Sequence, residues 1–333
     1  MKRTSSCLSV RERFDKLGRA MSDSQNVLVL INPNAGIASS LESVITAIGD
    51  HWDRPGVHLM FQLSRDIEDG QAKTRRALRD QVDTIIVVGG DGMINSIGSE
   101  LVGSDIALGV IPTGSGNGFA RHFDIPLRPE AAAAALAGAD RLRIDVGRAN
   151  GRPFFVTCSM AWDAAIVRTF EKSPVRGILP YVFAAVYEYF EYERQPFDAV
   201  LDGKEGYAFK DPLIFTVANL TQYGGQARIA PHACPDDGLL ELIVVERKEA
   251  PLVLANLTRL FNGTIDRLSQ VRTMQFSAMK VVREKAAPIQ MDGELVDSEA
   301  DVTVDILPQS LTVLVPRRKG RKDPVLSEKA GRA

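Results

Sequence analysis

The sequence predicts an α/β plus β protein, with an N-terminal α/β domain on a parallel sheet followed by a mostly antiparallel β-sandwich domain. Three observations carry this. From Asn26 onward, short apolar β-rich runs alternate with amphipathic segments, the pattern of a parallel sheet covered by helices. Beyond about Gly147 that alternation gives way to strand-like runs joined by turns, the pattern of antiparallel layers. Between Thr84 and Phe123, in TIIVVGGDGMINSIGSELVGSDIALGVIPTGSGNGFARHF, two glycine-rich bends each follow an apolar run and precede a helix-like segment.

The elements follow in order. VLVLIN leads to the helix-like SLESVITAIGD, VHLMFQLS to DGQAKTRRALRD, TIIVVGG to MINSIGSELVG, and IALGVIPT to GNGFARHF. The alanine-rich RPEAAAAALAGA is the last helix of this half, and LRIDVGRA reads as a further strand. The second half supplies RPFFVTCSM, FDAVLDG, LIFTVANL, LLELIVVE, MKVVREK, DVTVDIL and LTVLVP as strands, with helical interruptions at 163–192 and 251–262. The expected organisation is a basic tail over 1–25, the α/β domain over 26–146, the sandwich over 147–316 and a second basic tail over 317–333.

Composition narrows the function classes. The chain has 333 residues, 45% of them hydrophobic, and a formal net charge of −2, which excludes a general polyanion binder and gives no reason to expect a nucleic acid partner. The basic ends, among them Lys2, Arg3, Arg317, Arg318 and Lys319, read as solvated tails or as weak attraction to anionic lipid. Cys7, Cys158 and Cys234 are far apart with no CxxC spacing, so neither a disulfide framework nor a thiolate metal site is indicated, and a cytoplasmic setting fits. No stretch approaches the ~20 apolar residues of a membrane span, so membrane contact is expected to be peripheral.

Three bends carry the chemistry. INPNAG places Asn32, Pro33, Asn34, Ala35 and Gly36 after the first strand; VVGGDGM places Gly89, Gly90, Asp91 and Gly92 after the third; IPTGSGNGFAR places Thr113, Gly114, Ser115, Gly116 and Asn117 after the fourth. Singly, each is also a good turn. Together, on one edge of one parallel sheet, they form a cradle for a nucleotide, its phosphates and, through Asp91, a hydrated Mg²⁺.

The combination resembles the lipid kinase superfamily of diacylglycerol and sphingosine kinases, in particular its soluble bacterial diacylglycerol kinase-like branch. Six motifs occur in the family's order between Asn26 and Pro316: NPNAG, GGDGMINS, PTGSGNGFAR, IDVG with Asp145, PDDGLLEL and MDGE. The resemblance implies a Rossmann-like first domain, an ATP-dependent transfer of the γ-phosphoryl group to a lipid hydroxyl, Mg²⁺, peripheral contact with the inner face of the membrane, and a homodimer as one form of assembly. Carried over residue by residue, it makes Asn32 to Gly36, Ser64, Gly89 to Gly92, Asn95 and Ser96 nucleotide contacts, with Thr113 to Asn117 closing over the phosphates. Asp91 and Asp145 would organise magnesium. Asp237, with the backbone carbonyls of Cys234 and Leu239, matches a structural magnesium site that Asp236 assists. In MDGE, Asp292 and Glu294 match the carboxylates of the general-base role, and Asp292 is preferred. The chain departs from the pattern at Met93, Ser96 and Gly118, where the branch often has threonine, glutamate and aspartate, and these positions bear on the magnesium network and on lipid choice. The aromatic YVFAAVYEYFEY, with Tyr181, Tyr187, Tyr189 and Tyr192, reads as a helix packed on the sandwich or as a lip for acyl chains. Two other functions compete: an NAD kinase, which shares the GGDG logic, and a nucleotide- or lipid-binding relative without turnover.

Overall fold

The structure is a computed structural model and describes residues 25–33, 41–161, 195–256 and 258–317. The first half alternates as the hydrophobic pattern requires: β1 (Gln25–Ile31), α1 (Leu41–Trp52), β2 (Val57–Leu63), α2 (Ile67–Arg79), β3 (Thr84–Gly89), α3 (Asp91–Leu101), β4 (Ala107–Pro112), α4 (Gly118–His122) and α5 (Pro129–Leu136). Local chemistry sets these limits. Asp66 caps α2 by accepting from the Asp69 amide at 2.7 Å, Glu68 and Asp69 stand in its first turn, and Arg76 and Arg79 in its last, each charge complementing the nearer end of the helix dipole. α5 opens with Pro129, where a missing N–H costs nothing. β3 and β4 are buried along their whole length, as strands covered on both faces are.

β1 pairs in parallel with β2 on one side and β3 on the other, and β3 with β4. The chain therefore reverses its direction of travel across the sheet between β1 and β3, and a crevice opens outside the carboxyl ends of those two strands.

β5 (Asp140–Ala149), β6 (Arg152–Phe154), β7 (Thr157–Ser159), β8 (Phe197–Leu201), β9 (Glu205–Phe209), β10 (Pro212–Ala218) and β11 (Leu240–Glu246) follow. After them come the short helices α6 (Ala250–Ala255) and α7 (Thr258–Asn262), then β12 (Arg272–Phe276), β13 (Ala278–Arg283), β14 (Ile289–Met291), β15 (Glu294–Val296) and β16 (Asp301–Val315). β12, β11, β10, β7, β14 and β15 form a six-stranded antiparallel sheet in that order. It packs Phe215, Val217, Leu242 and Met291 against Phe197, Val281 and Val302 of the facing strands in the second core. β8 and β13 alternate buried and exposed residues, the period of a sheet with one solvated face.

The two halves are not separate sheets. β16 is 15 residues long; its start pairs antiparallel with β13, and its end pairs in parallel with β4. A single ten-stranded sheet thus runs from β2 through β16 to β9, and Leu311, Val313 and Leu314 are buried in the first core. The boundary expected at 146/147 divides the chain where β5 itself lies along β16 on both sides of that point. The expected helix at 163–192, with its tyrosines, lies outside the described residues. No helix among the described residues is long and apolar enough to cross a membrane.

Candidate active site

The site is built on the rim formed by the carboxyl ends of β1 to β4. The Asn32 amide donates to Val88 O at 3.1 Å, the Ser64 amide to Ile31 O at 2.7 Å and the Thr113 amide to Gly89 O at 3.0 Å. These bonds gather Asn32, Ser64, Gly89 and Thr113 along one edge, where they were expected; Asn34, Ala35 and Gly36 lie outside the described residues, and Pro33 is exposed. Ser64 is buried, and its hydroxyl donates to Asp66 O at 2.8 Å, so it shapes the turn into α2.

The two glycine bends hold each other. A Cβ on Gly114 would come within 2.8 Å of Gly90 Cα, and one on Gly116 within 3.1 Å of Asp91 Oδ2. Backbone lies against backbone, which only glycine permits. Asp91 completes the contact: its Oδ2 accepts from the Gly118 amide at 3.2 Å and its Oδ1 from the Phe119 amide at 3.4 Å, capping the first turn of α4. Asn117 adopts a left-handed conformation with φ 51°, and its amide group both accepts from Gly114 N at 3.1 Å and donates to Gly114 O at 2.7 Å. Its side chain therefore stiffens the bend, leaving Ser115 as the exposed hydroxyl at its tip. The buried hydroxyls of Thr113 and Ser96 have no hydrogen-bond partner, a condition that buried polar atoms ordinarily resolve with a ligand or water.

Opposite this rim stands MDGE. Asp292 and Gly293 have φ of 50° and 95° between β14 and β15, and Met291 pairs with Glu294. This is a two-residue hairpin turn of the kind Asp-Gly favours. The Asp292 carboxylate is buried. Its Oδ1 accepts from Val156 N at 2.7 Å and Thr157 N at 3.0 Å; its Oδ2 accepts from Phe155 N at 2.7 Å and Asn95 Nδ2 at 2.7 Å. Burial pushes its pKa up, and these four donors pull the other way. Four accepted hydrogen bonds fill the four lone-pair positions of a carboxylate.

Helix α3 joins the two sides. Asp91, Gly92 and Asn95 lie on one face, at positions i, i+1 and i+4. Asp91 reaches α4, Asn95 reaches Asp292, and a Cβ on Gly92 would overlap Glu294 Oε1, so the Glu294 side chain lies across the first turn of α3. Burial first, and the Asp292 charge less strongly, push the Asp91 carboxyl up to about 6. Asn95 was expected as a nucleotide contact; its amide nitrogen is engaged by Asp292 and, at 3.3 Å, by Pro153 O.

Asp145 goes elsewhere. Fully buried on β5, it accepts from Gly238 N and Gln309 N, both at 2.7 Å, while its own amide donates to Pro235 O at 2.6 Å. It is gathered with the 235–238 loop and the irregular middle of β16, where it stands beside Asp237. Partial desolvation, and then the neighbouring Asp145 and Asp236 charges, push the Asp237 carboxyl up, against the Leu239 amide that donates to it at 3.0 Å. Among the described residues no three His, Cys, Asp or Glu side chains converge as metal ligands. The Asp237 carboxylate and the carbonyls of Cys234 and Leu239 are oxygen donors, the ligand type of a hard divalent cation. Cys234 is disulfide-bonded, where the spacing of the cysteines indicated no disulfide framework.

Gly118 explains its own departure from the aspartate pattern. A Cβ there would meet Tyr223 O at 2.7 Å and Gln222 O at 3.2 Å, so a loop of the sandwich occupies the space a side chain would need. Met93 packs its sulfur over Gly89. Sequence reasoning missed His122 and the Thr221–Gly225 loop altogether; the glycine pair Gly224–Gly225 was the only signal in reach.

Two glycine bends at the switch point of a parallel sheet, met by a carboxylate-bearing hairpin of a β-sandwich, form the arrangement expected of a two-domain phosphotransferase. Comparison with known proteins specifies which. Residues 26–149 match the diacylglycerol kinase catalytic domain and residues 157–315 the YegS C-terminal NAD kinase beta sandwich-like domain. A diacylglycerol kinase of Mycobacterium tuberculosis is 29% identical over 87% of this chain and 95% of its own. A probable lipid kinase YegS-like of Chromohalobacter salexigens is 30% identical over 78% of this chain and 84% of its own. The crystal structure of a putative diacylglycerol kinase from Bacillus anthracis superposes with a TM-score of 0.73 at 22% identity, over 89% of this chain and 98% of that one. The chain belongs to the diacylglycerol kinase and YegS-like family of lipid kinases.

Proposed function

We propose that this lipid kinase transfers the γ-phosphoryl group of ATP to the hydroxyl of a lipid such as diacylglycerol or a sphingoid lipid, with Glu294 as the group that takes the hydroxyl proton. The observation that carries this is the meeting of α3 with the MDGE hairpin. It supports a reading with the glycine bends as a nucleotide cradle on one side of a cleft and a carboxylate pair on the other. Within that pair our reading prefers Glu294 to Asp292. A carboxylate with four accepted hydrogen bonds has no lone pair left for a substrate hydroxyl, whereas Glu294 is exposed and lies against Gly92 at the mouth of the cradle. Asp292 acts as a positioning residue: it fixes the hairpin to the 155–157 backbone and to Asn95, and so aims Glu294.

Asp91 would hold Mg²⁺ on the cradle side and Asp237 a second ion at the sandwich loop; the cation neutralises phosphate charge when bound. The protein's own groups do the positioning. Gly90 and Gly114 keep the two bends in contact, the amides of Gly114, Gly118 and Phe119 are held by Asn117 and Asp91, and the orphaned Thr113 and Ser96 hydroxyls supply donors. Incubation of the purified protein with γ-labelled ATP, GTP or CTP and a panel of dioctanoylglycerol, sphingosine and NAD tests the reading. Label in a lipid from ATP is the expected result. Label in NAD would favour the nicotinamide reading, and nucleotide binding without transfer to any acceptor would leave a binding protein only.

A further inference from the structure

We propose that His122 is a positioning residue, holding the Thr221–Gly225 loop of the sandwich as a strap across the Gly114–Gly118 bend and so tying the nucleotide side of the cleft to the sandwich. The proposal rests on the reading of that bend as a phosphate cradle. His122 ends α4, directly after the bend, and its Nδ1 lies 3.2 Å from the Thr221 amide and 3.1 Å from the Thr221 hydroxyl. A backbone amide can only donate, so Nδ1 is the acceptor and the ring is the neutral tautomer with its proton on Nε2. Burial favours the same neutral form, pushing the ring down to about 4.

From that anchor the strap runs over the bend. Gly225 N donates to Gly116 O at 3.1 Å. Gly224, with φ 135°, places its Cα so close that a Cβ would lie 3.1 Å from Gly116 Cα, and Tyr223 O covers Gly118 as described above. Arg121 Nε donates to the same Gly116 carbonyl at 3.1 Å. The strap is tied at its root as well: the Tyr223 hydroxyl lies 2.5 Å from Thr216 Oγ1 on β10, which lies 3.1 Å from Ser159 Oγ on β7. β7 pairs with β14, the strand that leads into Asp292. One continuous path of hydrogen bonds and strand pairing therefore joins the phosphate bend to the acceptor carboxylates. The hydrogen bonds of His122 Nδ1 go to Thr221, so its role is to set the bend through Thr221.

The test compares two amides. Asparagine at 122 places its oxygen where Nδ1 stands, and glutamine places its polar atoms near Nε2 instead. Full-length His122→Asn and His122→Gln are measured for the dissociation constant of a fluorescent non-hydrolysable ATP analogue, for melting temperature, and for exchange of the Thr221 and Gly225 amides with deuterium. His122→Asn should bind the analogue within about twofold of wild type. His122→Gln should bind about five- to tenfold more weakly, the value of one lost hydrogen bond, with faster exchange at Thr221 and Gly225. Equal binding and equal exchange in the two variants would overturn the strap. If both variants prove unstable, Gly118→Ala asks the same question, since its Cβ must displace Tyr223 O; unchanged exchange at Gly225 there would also overturn it. None of these readouts needs phosphoryl transfer. A wild type that binds the analogue but labels no acceptor would count against the kinase proposal alone.

Discussion

At the residue scale, the two carboxylates of MDGE differ in what surrounds them, and substitution should separate them. Glu294→Gln should lower turnover by roughly 10²–10⁴, the range for loss of a general base, with nucleotide affinity and melting temperature near wild type. Asp292→Asn leaves an NH₂ facing backbone donors in a buried pocket, so it should also cost about 3 kcal/mol of stability, read as a lower denaturation midpoint. A stable, inactive Asp292→Asn beside a fully active Glu294→Gln would return the proton to Asp292. Asp91 makes a pH prediction. Its folded value of about 6 lies above the ordinary 3.8, so the folded state keeps a proton that the unfolded chain has lost, and stability falls as pH rises from about 4 through 6. The cost is complete above that, and is about 3 kcal/mol at most. In chelator, wild type should therefore lose stability relative to Asp91→Asn between pH 4 and 8. Parallel melting curves for the two proteins across that range would refute the shift.

At the scale of elements, the first turn of α3 and the bend after β4 act as one unit, and their glycines are there for contact. Gly114→Ala pushes a Cβ to 2.8 Å from Gly90 Cα, and neither backbone can yield cheaply, so nucleotide affinity should fall at least tenfold. Gly92→Ala instead meets the flexible end of Glu294. The glutamate can swing aside, so turnover should drop while melting temperature changes by no more than a few degrees. Steady-state kinetics beside thermal melts distinguishes the two; a Gly92→Ala enzyme with unchanged kcat would detach Glu294 from the reaction.

For the whole molecule, β16 makes the two domains one cooperative body. Its end lies between β4 and β5 in the first core while its start lies on β13 in the second. Leu311→Ala, at a fully buried position, should cost about 2–5 kcal/mol and lower a single unfolding transition seen equally by probes in either half. Two separated transitions would show that the shared strand does not couple them.

Among the described residues, the order of strands and helices, the bends after β3 and β4, and the pairing of an α/β half with a sandwich were legible in the sequence, because hydrophobic period and turn chemistry are local properties. The sequence also singled out Asp91, Asp292 and Glu294, which the structure gathers around the first turn of α3, through motifs short enough to read as units. Tertiary contacts alone set the four donors around Asp292, the place of Asp145 beside Asp237, the joining of β16 to the first sheet, and the sandwich loop that fills the space beside Gly118. Those are contacts between residues far apart in the chain: Asn95 with Asp292, Asp145 with Gln309, His122 with Thr221. A carboxylate's proton affinity and a glycine's necessity depend on what the rest of the chain brings within a few ångströms, and packing sets that where local pattern cannot.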